Sequence, residues 1–436
     1  MDFGSSDDVR VQAQLDRLAA LSVPQGRFGL ETITALMERL GNPHRKLPPV
    51  FHVAGTNGKG SVCAFLRAIL EADGKRVHVT TSPHLVRYNE RIRVAGELIG
   101  DEALATLLEE VLDTGEELGP SFFEVTIAAA FLAFSRTPAD ACVVEVGLGG
   151  RFDATNVLEP EALAACGIAA LGLDHERFLL APEDGVPKEP MARIAFEKAG
   201  IAKAGVPLVT LGKNDYPDEA LAAIRMVAQR NVAPTFENGK EWFADGLYQG
   251  EYTGTNRRII WADEKVGLKG NHQYLNAGLA IAMIENQNRV LVNEDSIRSG
   301  LGKAKWPARM QLLGVGPLTA LASAPAVWLD GGHNPSAGNA IAGFFEGPVH
   351  LVLGMIEGKN PRALLDPLGE KIASLTVVPV PGHPCHPPDA FGPDARHASD
   401  LEDALLNIQS DDHPILIAGS LYLAGEALKL NDEVPD

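Results

Sequence analysis

Residues 51–61 read Phe-His-Val-Ala-Gly-Thr-Asn-Gly-Lys-Gly-Ser, and their types suit a phosphate-binding loop. Gly55, Gly58 and Gly60, with Thr56 and Asn57 between them, let backbone N–H groups converge on phosphate oxygens. Lys59 adds a point charge, and Ser61 places a hydroxyl near a phosphate-bound Mg²⁺. The spacing departs from the ordinary Walker pattern: Val53 stands at the first glycine position, and Gly60 displaces the hydroxyl residue. A plain tight turn between strand and helix is the alternative. Lys-Gly-Ser at the head of a helical pattern favours nucleotide binding.

Other residues could share that chemistry. Glu145 closes an apolar run, where an unpaired carboxylate is costly to bury, and near a phosphate loop it suits a hard cation. Asp174 and His175 end another apolar run and either complete such a site or make structural hydrogen bonds. Lys198 lies on a predicted helix beside Glu197, where an exposed charge pair is the plain reading. Arg151, Asp153 and Asn156 follow a Gly-Leu-Gly-Gly turn and offer donors and acceptors to a heteroaromatic ring, or else cap their own loop. Phe122 and Phe123 form an aromatic wall or pack in the core. Asp330 and His333 stand at a strand–helix turn, suited to binding an amine or guiding a proton. Helix capping by Asn334 or Ser336 is the alternative there. Arg309 could clamp a transferring phosphate. His383, Cys385 and His386 look like zinc ligands, but one loop with no second pair predicts no structural zinc site.

These residues need a scaffold, and the apolar pattern supplies one. Short apolar runs over 50–54, 76–81, 141–146, 167–173 and 206–211 predict buried strands. Between them, Val62, Phe65, Leu66, Ile69 and Leu70, and again Leu104, Leu107, Leu108, Val111 and Leu112, follow helical spacing. The alternation predicts a doubly wound α/β sheet with sites at the strands' carboxyl ends. Segments 235–243, 247–253 and 257–261 predict appended antiparallel hairpins, and a helix is expected over 273–285. Strands over 326–329, 350–354, 375–380 and 414–418 then alternate with helices over 336–345 and 421–429. The expected domain boundary lies near residue 297.

The 436 residues carry 38 Lys and Arg against 57 Asp and Glu, a formal net charge of −19. That balance disfavours nonspecific nucleic-acid binding, which needs cations against phosphates, and an anionic membrane surface. The charge is uneven: residues 101–124 hold eight acidic and no basic residues, and 397–436 hold nine acidic residues and one Lys. Residues 52–100, with the phosphate loop, carry seven basic and four acidic residues, so anions meet a locally basic segment. No run of about 18 apolar residues is present, and Asp2, Asp7 and Asp8 replace the apolar stretch of a secretory signal. The 4 cysteines are widely spaced and read as reduced thiols, so a soluble cytoplasmic protein is expected.

The loop at 55–61 resembles the variant phosphate loop of the folylpolyglutamate synthase/dihydrofolate synthase family, within the wider Mur ligase superfamily. The resemblance continues through 81–92, 145–156, Asp174-His175, 197–201, 306–310, 330–335 and 419–423, nearly the whole chain. It implies an α/β protein of two domains. Residues 1–296 would form a P-loop-type, mainly parallel ATPase domain with appended antiparallel strands. Residues 297–436 would form a smaller Rossmann-like glutamate-ligase domain.

The implied reaction is ATP-dependent amide formation through an acyl phosphate. Its implied substrates are 7,8-dihydropteroate, folates, L-glutamate and ATP, handled by a monomer with no nucleic-acid or membrane partner. The resemblance directs Gly55, Thr56, Asn57, Gly58, Lys59, Gly60, Ser61, Asn271, Asn276, Arg309 and Asp330 toward ATP. It makes Ser61, Ser82, Glu145, His175 and a carbamylated Lys198 ligands of two Mg²⁺ ions. His84, Arg87, Phe123, Arg151, Asp153, Asn156, His333 and Ser336 fall to the other substrates, and Lys59, Lys198, Asp330 and His333 to catalysis. Residues 178–192, with Pro182, Pro187 and Pro190, depart from the compact family pattern. The rival readings are a monofunctional folylpolyglutamate synthase, a Mur-type amino-acid ligase and a non-catalytic nucleotide-binding module.

Overall fold

The computed structural model describes residues 4, 6–21, 29–244, 251–254, 258–260, 266–409 and 411–435. The chain forms two compact units, Met1–Gly267 with Gln273–Lys305, and Leu268–His272 with Trp306–Asp436. The break after Lys305 falls later than the expected 296/297 because the helix Glu294–Lys303 packs on the helix Lys59–Ala72. A Cβ on Gly300 would come within 2.4 Å of the Ile69 backbone, so the close approach needs glycine.

In the first unit the strands are β1 (Val50–Ala54), β2 (Val77–Thr80), β3 (Ile92–Val94), β4 (Glu97–Leu98), β5 (Ala141–Glu145), β6 (Leu163–Ile168), β7 (Leu208–Thr210) and β8 (Thr235–Glu237). They form one sheet in the order β4-β3-β2-β5-β1-β6-β7-β8. Every pairing from β2 through β8 is parallel, while β3 and β4 add an antiparallel edge. β1 is buried along its whole length at the centre, as an apolar strand covered on both faces must be. The chain passes from β1 outward to β2 on one side and later to β6 on the other, so the carboxyl end of β1 is a switch point where ligands bind. The predicted apolar face of the Lys59–Ala72 helix is fully buried.

Two strand expectations are corrected. The run at 167–173 is displaced: β6 ends at Ile168, and the Ala170 carbonyl turns to accept the N–H groups of Thr56 and Asn57. Segment 235–243 does not open a hairpin, because β8 joins the main sheet parallel to β7 and the Pro234 carbonyl accepts the Leu208 N–H. Strands β9 (Phe243–Ala244), β10 (Glu251–Thr253) and β11 (Arg258–Ile260) form a separate antiparallel sheet. The rest of the expected hairpin positions, 247–250, 257 and 261, lie outside the described residues.

The second unit holds β12 (Gln311–Leu312), β13 (Val327–Leu329), β14 (Val349–Leu353), β15 (Ile372–Val377), β16 (Arg396–His397) and β17 (Ile415–Ala418). Their order is β12-β13-β17-β14-β15-β16, parallel except for β12. β15 is displaced from the expected 375–380: it begins at Ile372 and ends at Val377, short of Pro379, which has no N–H for the ladder. Among the described residues no helix is long and apolar enough to cross a membrane.

Candidate active site

The phosphate loop leaves β1 with two positions only glycine fills easily. Gly55 has φ +154°, and a Cβ there would lie 2.9 Å from the Ala169 side chain. Gly58 has φ +83° and caps the Lys59–Ala72 helix without a side chain, leaving the helix N-terminus open to an anion. A Cβ on Gly58 would sit 2.5 Å from Asn276 Oδ1, so Asn276 lies against the loop, its amide donating to Gln273. Thr56 Oγ1 ties the loop to Gly172, and Gly60 and Ser61 are buried in the first helical turn.

The register brings Glu145 to this end of the sheet, because β5 lies beside β1 with Glu145 opposite Val53. Its carboxylate is buried, accepts the Ser82 N–H at 3.1 Å and lies 4.0 Å from Lys59 Nζ. Lys198 ends the helix Pro190–Ala199 and, like Glu197, is buried, which corrects the reading of an exposed charge pair. Its Nζ donates to the Gly55 carbonyl at 3.0 Å. Burial, reinforced by the nearby Lys59 charge, pushes the Lys198 amine down to about 7, while Asp174, Asp153 and Glu197 pull it upward. Asp174 and His175 do not end a strand. His175 takes φ +52° at the turn into the helix Glu176–Leu179, its imidazole 3.9 Å from the Asp174 carboxylate and half exposed.

The turn after β5 interlocks with the end of the Lys198 helix. A Cβ on Gly150 would lie 2.8 Å from the Glu197 carbonyl, and one on Gly200 would lie 2.5 Å from Arg151 Cα. The Arg151 N–H donates to the Glu197 carbonyl at 2.8 Å. Asp153 caps the next turn: it accepts from the Leu148 N–H and from both the N–H and hydroxyl of Thr155. Burial pushes its carboxyl up nonetheless. The loop-capping alternative therefore describes Asp153. Asn156 donates to the Arg151 and Gly200 carbonyls, while its Oδ1 is buried with no hydrogen-bond partner among the described residues.

The Arg151 guanidinium donates to both oxygens of Glu197, at 2.9 and 3.1 Å, and to both oxygens of Glu183, at 2.5 and 2.8 Å. Arg193 joins from the same helix as Lys198, donating to Glu183 at 2.8 Å. These two cations hold the Glu183 carboxyl down at about 2. Glu183 carries no motif and lies in the divergent 178–192 segment, so only the fold reveals it.

The 82–91 loop is organised by another unanticipated carboxylate. Glu90 accepts the N–H groups of Leu85, Val86 and Arg87 at 2.8, 2.9 and 2.6 Å, although burial pushes its carboxyl up. His84 is buried and accepts from Arg91 Nε at 2.8 Å, whereas Arg87 is exposed. Phe123 covers Gly147, where a Cβ would meet its ring at 2.5 Å.

In the second unit, Asp330 follows β13. It accepts the Met310 N–H at 2.8 Å and the Gly332 N–H at 2.7 Å. Arg309 thus sits between Ala308 (φ +54°) and Met310 (φ +41°), two strained positions for non-glycine residues. His333 is partly buried near the Gly331 carbonyl, and Asn334 caps the helix Pro335–Phe344, leaving Ser336 exposed. Asn271 is exposed. Its neighbour His272, unanticipated, is pushed down by burial and drawn up by Asp330. His383 and His386 bond backbone carbonyls of Pro381 and Lys359.

No family model matches the chain. It is 34% identical over 439 residues to the dihydrofolate synthase/folylpolyglutamate synthase of Bacillus subtilis, covering 92% of this chain and 94% of that one. It superimposes on Escherichia coli FolC in complex with DHPP and ADP with a TM-score of 0.83, at 26% identity, covering 97% of both chains. A bifunctional folylpolyglutamate synthase/dihydrofolate synthase from Yersinia pestis, complexed with AMPPNP and a Mn ion, matches with a TM-score of 0.81 at 26% identity, covering 96% of this chain and 97% of that one. At this identity over nearly its full length, the chain belongs to the dihydrofolate synthase/folylpolyglutamate synthase family.

Proposed function

We propose that this chain is an ATP-dependent ligase that joins L-glutamate to the carboxylate of 7,8-dihydropteroate and also extends tetrahydrofolate polyglutamates. The observation that carries the reading is the convergence of Lys59, Glu145 and Lys198 on the carboxyl end of β1. The open helix N-terminus and Lys59 bind the phosphates of ATP. The donors Ser61, Ser82 and Glu145 are hard oxygens and His175 adds an imidazole, a set that suits Mg²⁺ or Mn²⁺. A bound divalent cation supplies charge neutralisation at the transferring phosphate.

The folate carboxylate attacks the γ-phosphate, with Lys59 neutralising the developing charge, and an acyl phosphate and ADP form. The glutamate amine then displaces phosphate through a tetrahedral intermediate, leaving the amide. From the second unit we assign Arg309 and Asp330 to ATP and His333 to glutamate. Asn156 Oδ1, the buried acceptor without a partner, is the pterin contact favoured within the 151–156 turn.

Lys198 is read as carbamylated. A buried amine near neutrality can add CO₂ with loss of a proton, and the resulting anion removes the repulsion between Lys198 and the Lys59 charge. Mass analysis of the intact protein, or of Lys198 in a structure with Mg²⁺, tests this. An unmodified lysine in fully active enzyme overturns it. We further read the protein as a monomer acting on small molecules only, which sedimentation checks.

One assay separates the readings: purified protein with ATP, Mg²⁺ and L-glutamate, given either dihydropteroate or tetrahydrofolate. Phosphate release with both acceptors is expected. Release with tetrahydrofolate alone marks a monofunctional folylpolyglutamate synthase, and release with neither refutes the assignment.

A further inference from the structure

Three side chains that sequence reading left unremarked meet in the second unit. Among the described residues, His350, Asp411 and His413 are the one group of His, Cys, Asp or Glu whose ligand atoms all lie within 4.8 Å of one another. The sheet assembles them. β14 lies between β15 and β17, so His350 pairs with Ser374 on one side and Ile415 on the other, and the segment leading into β17 delivers Asp411 and His413. The cluster stands at the amino ends of these strands, whereas Asp330 follows the carboxyl end of the parallel strand β13. Within this sheet it therefore stands at the opposite ends of the strands from Asp330.

Its geometry is specific. His350 Nε2 lies 3.0 Å from Asp411 Oδ1, and His413 Nδ1 lies 3.0 Å from Asp411 Oδ2, so two imidazoles address the two oxygens of one carboxylate. The other nitrogen of His350 is held by Ser374 Oγ at 2.7 Å. That hydrogen bond fixes the ring and leaves Nε2 directed at Asp411, the outer support that metal-binding histidines need. Without a metal the same atoms make hydrogen bonds. Donor atoms already about 3 Å apart need only small movements to place each at the ~2.0–2.2 Å of a first-row metal. His350 is buried, while the Asp411 and His413 side chains are each 38% exposed, so an ion has a way in. His413 also lines a cavity of about 310 Å³ with Trp328, Phe344, Glu346 and Asp412.

We propose that His350, Asp411 and His413 form a second metal site, selective for a divalent transition ion of the Zn²⁺ class. Two imidazoles and one carboxylate favour Zn²⁺, Co²⁺ or Ni²⁺ over Mg²⁺, which takes oxygen ligands and keeps its waters. The proposal does not rest on the ligase assignment.

The test uses the full chain, stripped with chelator and returned to excess Mg²⁺, then titrated with Zn²⁺ alone or Co²⁺ alone. The wild type should bind one Zn²⁺ per chain, give a low-coordinate Co²⁺ spectrum in the visible and melt at a higher temperature with Zn²⁺. Glu145→Gln should retain all three. His413→Ala should lose them, with affinity down at least ~100-fold, and Ser374→Ala should bind about 10-fold more weakly. Because His413 is only partly buried, the melting temperature of metal-free His413→Ala should stay close to the wild type and show that the fold is intact. Wild-type protein that takes up no Zn²⁺ in excess Mg²⁺ overturns the proposal. So does a folded His413→Ala that binds Zn²⁺ as the wild type does.

Discussion

Lys198 Nζ donates to the Gly55 carbonyl at 3.0 Å, tying the end of one helix to the first residue of the phosphate loop. The amine sits near 7 in the folded chain against an ordinary 10.5, burial being the main cause. Below pH 7 it is charged in both folded and unfolded chains, and the buried charge weakens the fold. Between 7 and 10.5 the unfolded chain binds more protons than the folded one, so stability rises with pH across that window. Unmodified wild-type protein should show this rise, and Lys198→Met should flatten it. Urea unfolding at pH 6.5, 8 and 9.5 measures both. If the carbamate forms, Lys198→Ala should also lose turnover by about 10²-fold or more. Added bicarbonate should raise wild-type activity at low pH and leave the variant unchanged.

The Gly150 turn makes a steric prediction. A methyl group there meets the Glu197 carbonyl at 2.8 Å and the Lys198 carbonyl at 2.9 Å, both backbone atoms that cannot swing aside. Gly150→Ala should destabilise the protein by about 1–3 kcal/mol and displace the helix end that carries Lys198, lowering kcat. Gly343→Ala is the control. Gly343 lies in the helix Pro335–Phe344 with nothing within 4 Å of a new Cβ, so that change should be neutral or slightly stabilising. Equal effects of the two substitutions would discard the interlock.

Glu183 predicts a second rise of stability with pH, on the acid side. Arg151 and Arg193 hold its carboxyl near 2 against an ordinary 4.5. The stabilisation is fully present above 4.5 and disappears as pH falls from 4.5 toward 2. The side chain is 37% exposed, so screening limits the contribution to about 1 kcal/mol or less. Glu183→Gln should flatten that part of the stability profile. It also releases one of the two carboxylates that orient Arg151, so KM for the pterin acceptor should rise more than kcat falls. An unchanged KM would separate the 178–192 segment from substrate binding.

How much of this the sequence could disclose depended on the kind of signal. β1, the Lys59–Ala72 helix and the phosphate loop follow from apolar period and glycine spacing, both local properties. Glu145 was found because a carboxylate at the end of an apolar run is anomalous by itself. Glu183 and Glu90 gave no such warning: each matters through partners brought by the fold, Arg151 and Arg193 for one and three loop N–H groups for the other. Lys198 read as solvated because a Glu-Lys pair on a helix usually is, and only packing against Gly150 shows which face it takes. The His350 cluster joins residues 61 apart through strand order, while the nearby-looking His383, Cys385 and His386 spend two imidazoles on backbone carbonyls.

Asp330 carries the last prediction. Its two oxygens take the N–H groups of Met310 and Gly332, and the first of these bonds holds a turn with left-handed residues on both sides of Arg309. Asp330→Ala leaves both N–H groups without that acceptor, at about 1–3 kcal/mol for each that stays buried. The strained turn should then relax and carry Arg309 with it. Two further variants separate positioning from simple loss of stability. Ala308→Gly removes the Cβ that makes φ +54° unfavourable, so it should hold or raise stability with Arg309 still in place. Arg309→Lys keeps the charge but loses the planar fork that grips a phosphate. Asp330→Ala and Arg309→Lys should both raise KM for ATP at least ~10-fold, whereas Ala308→Gly should leave it near the wild-type value. If Asp330→Ala is destabilised but binds ATP normally, the carboxylate serves the fold of this turn and not the placement of Arg309.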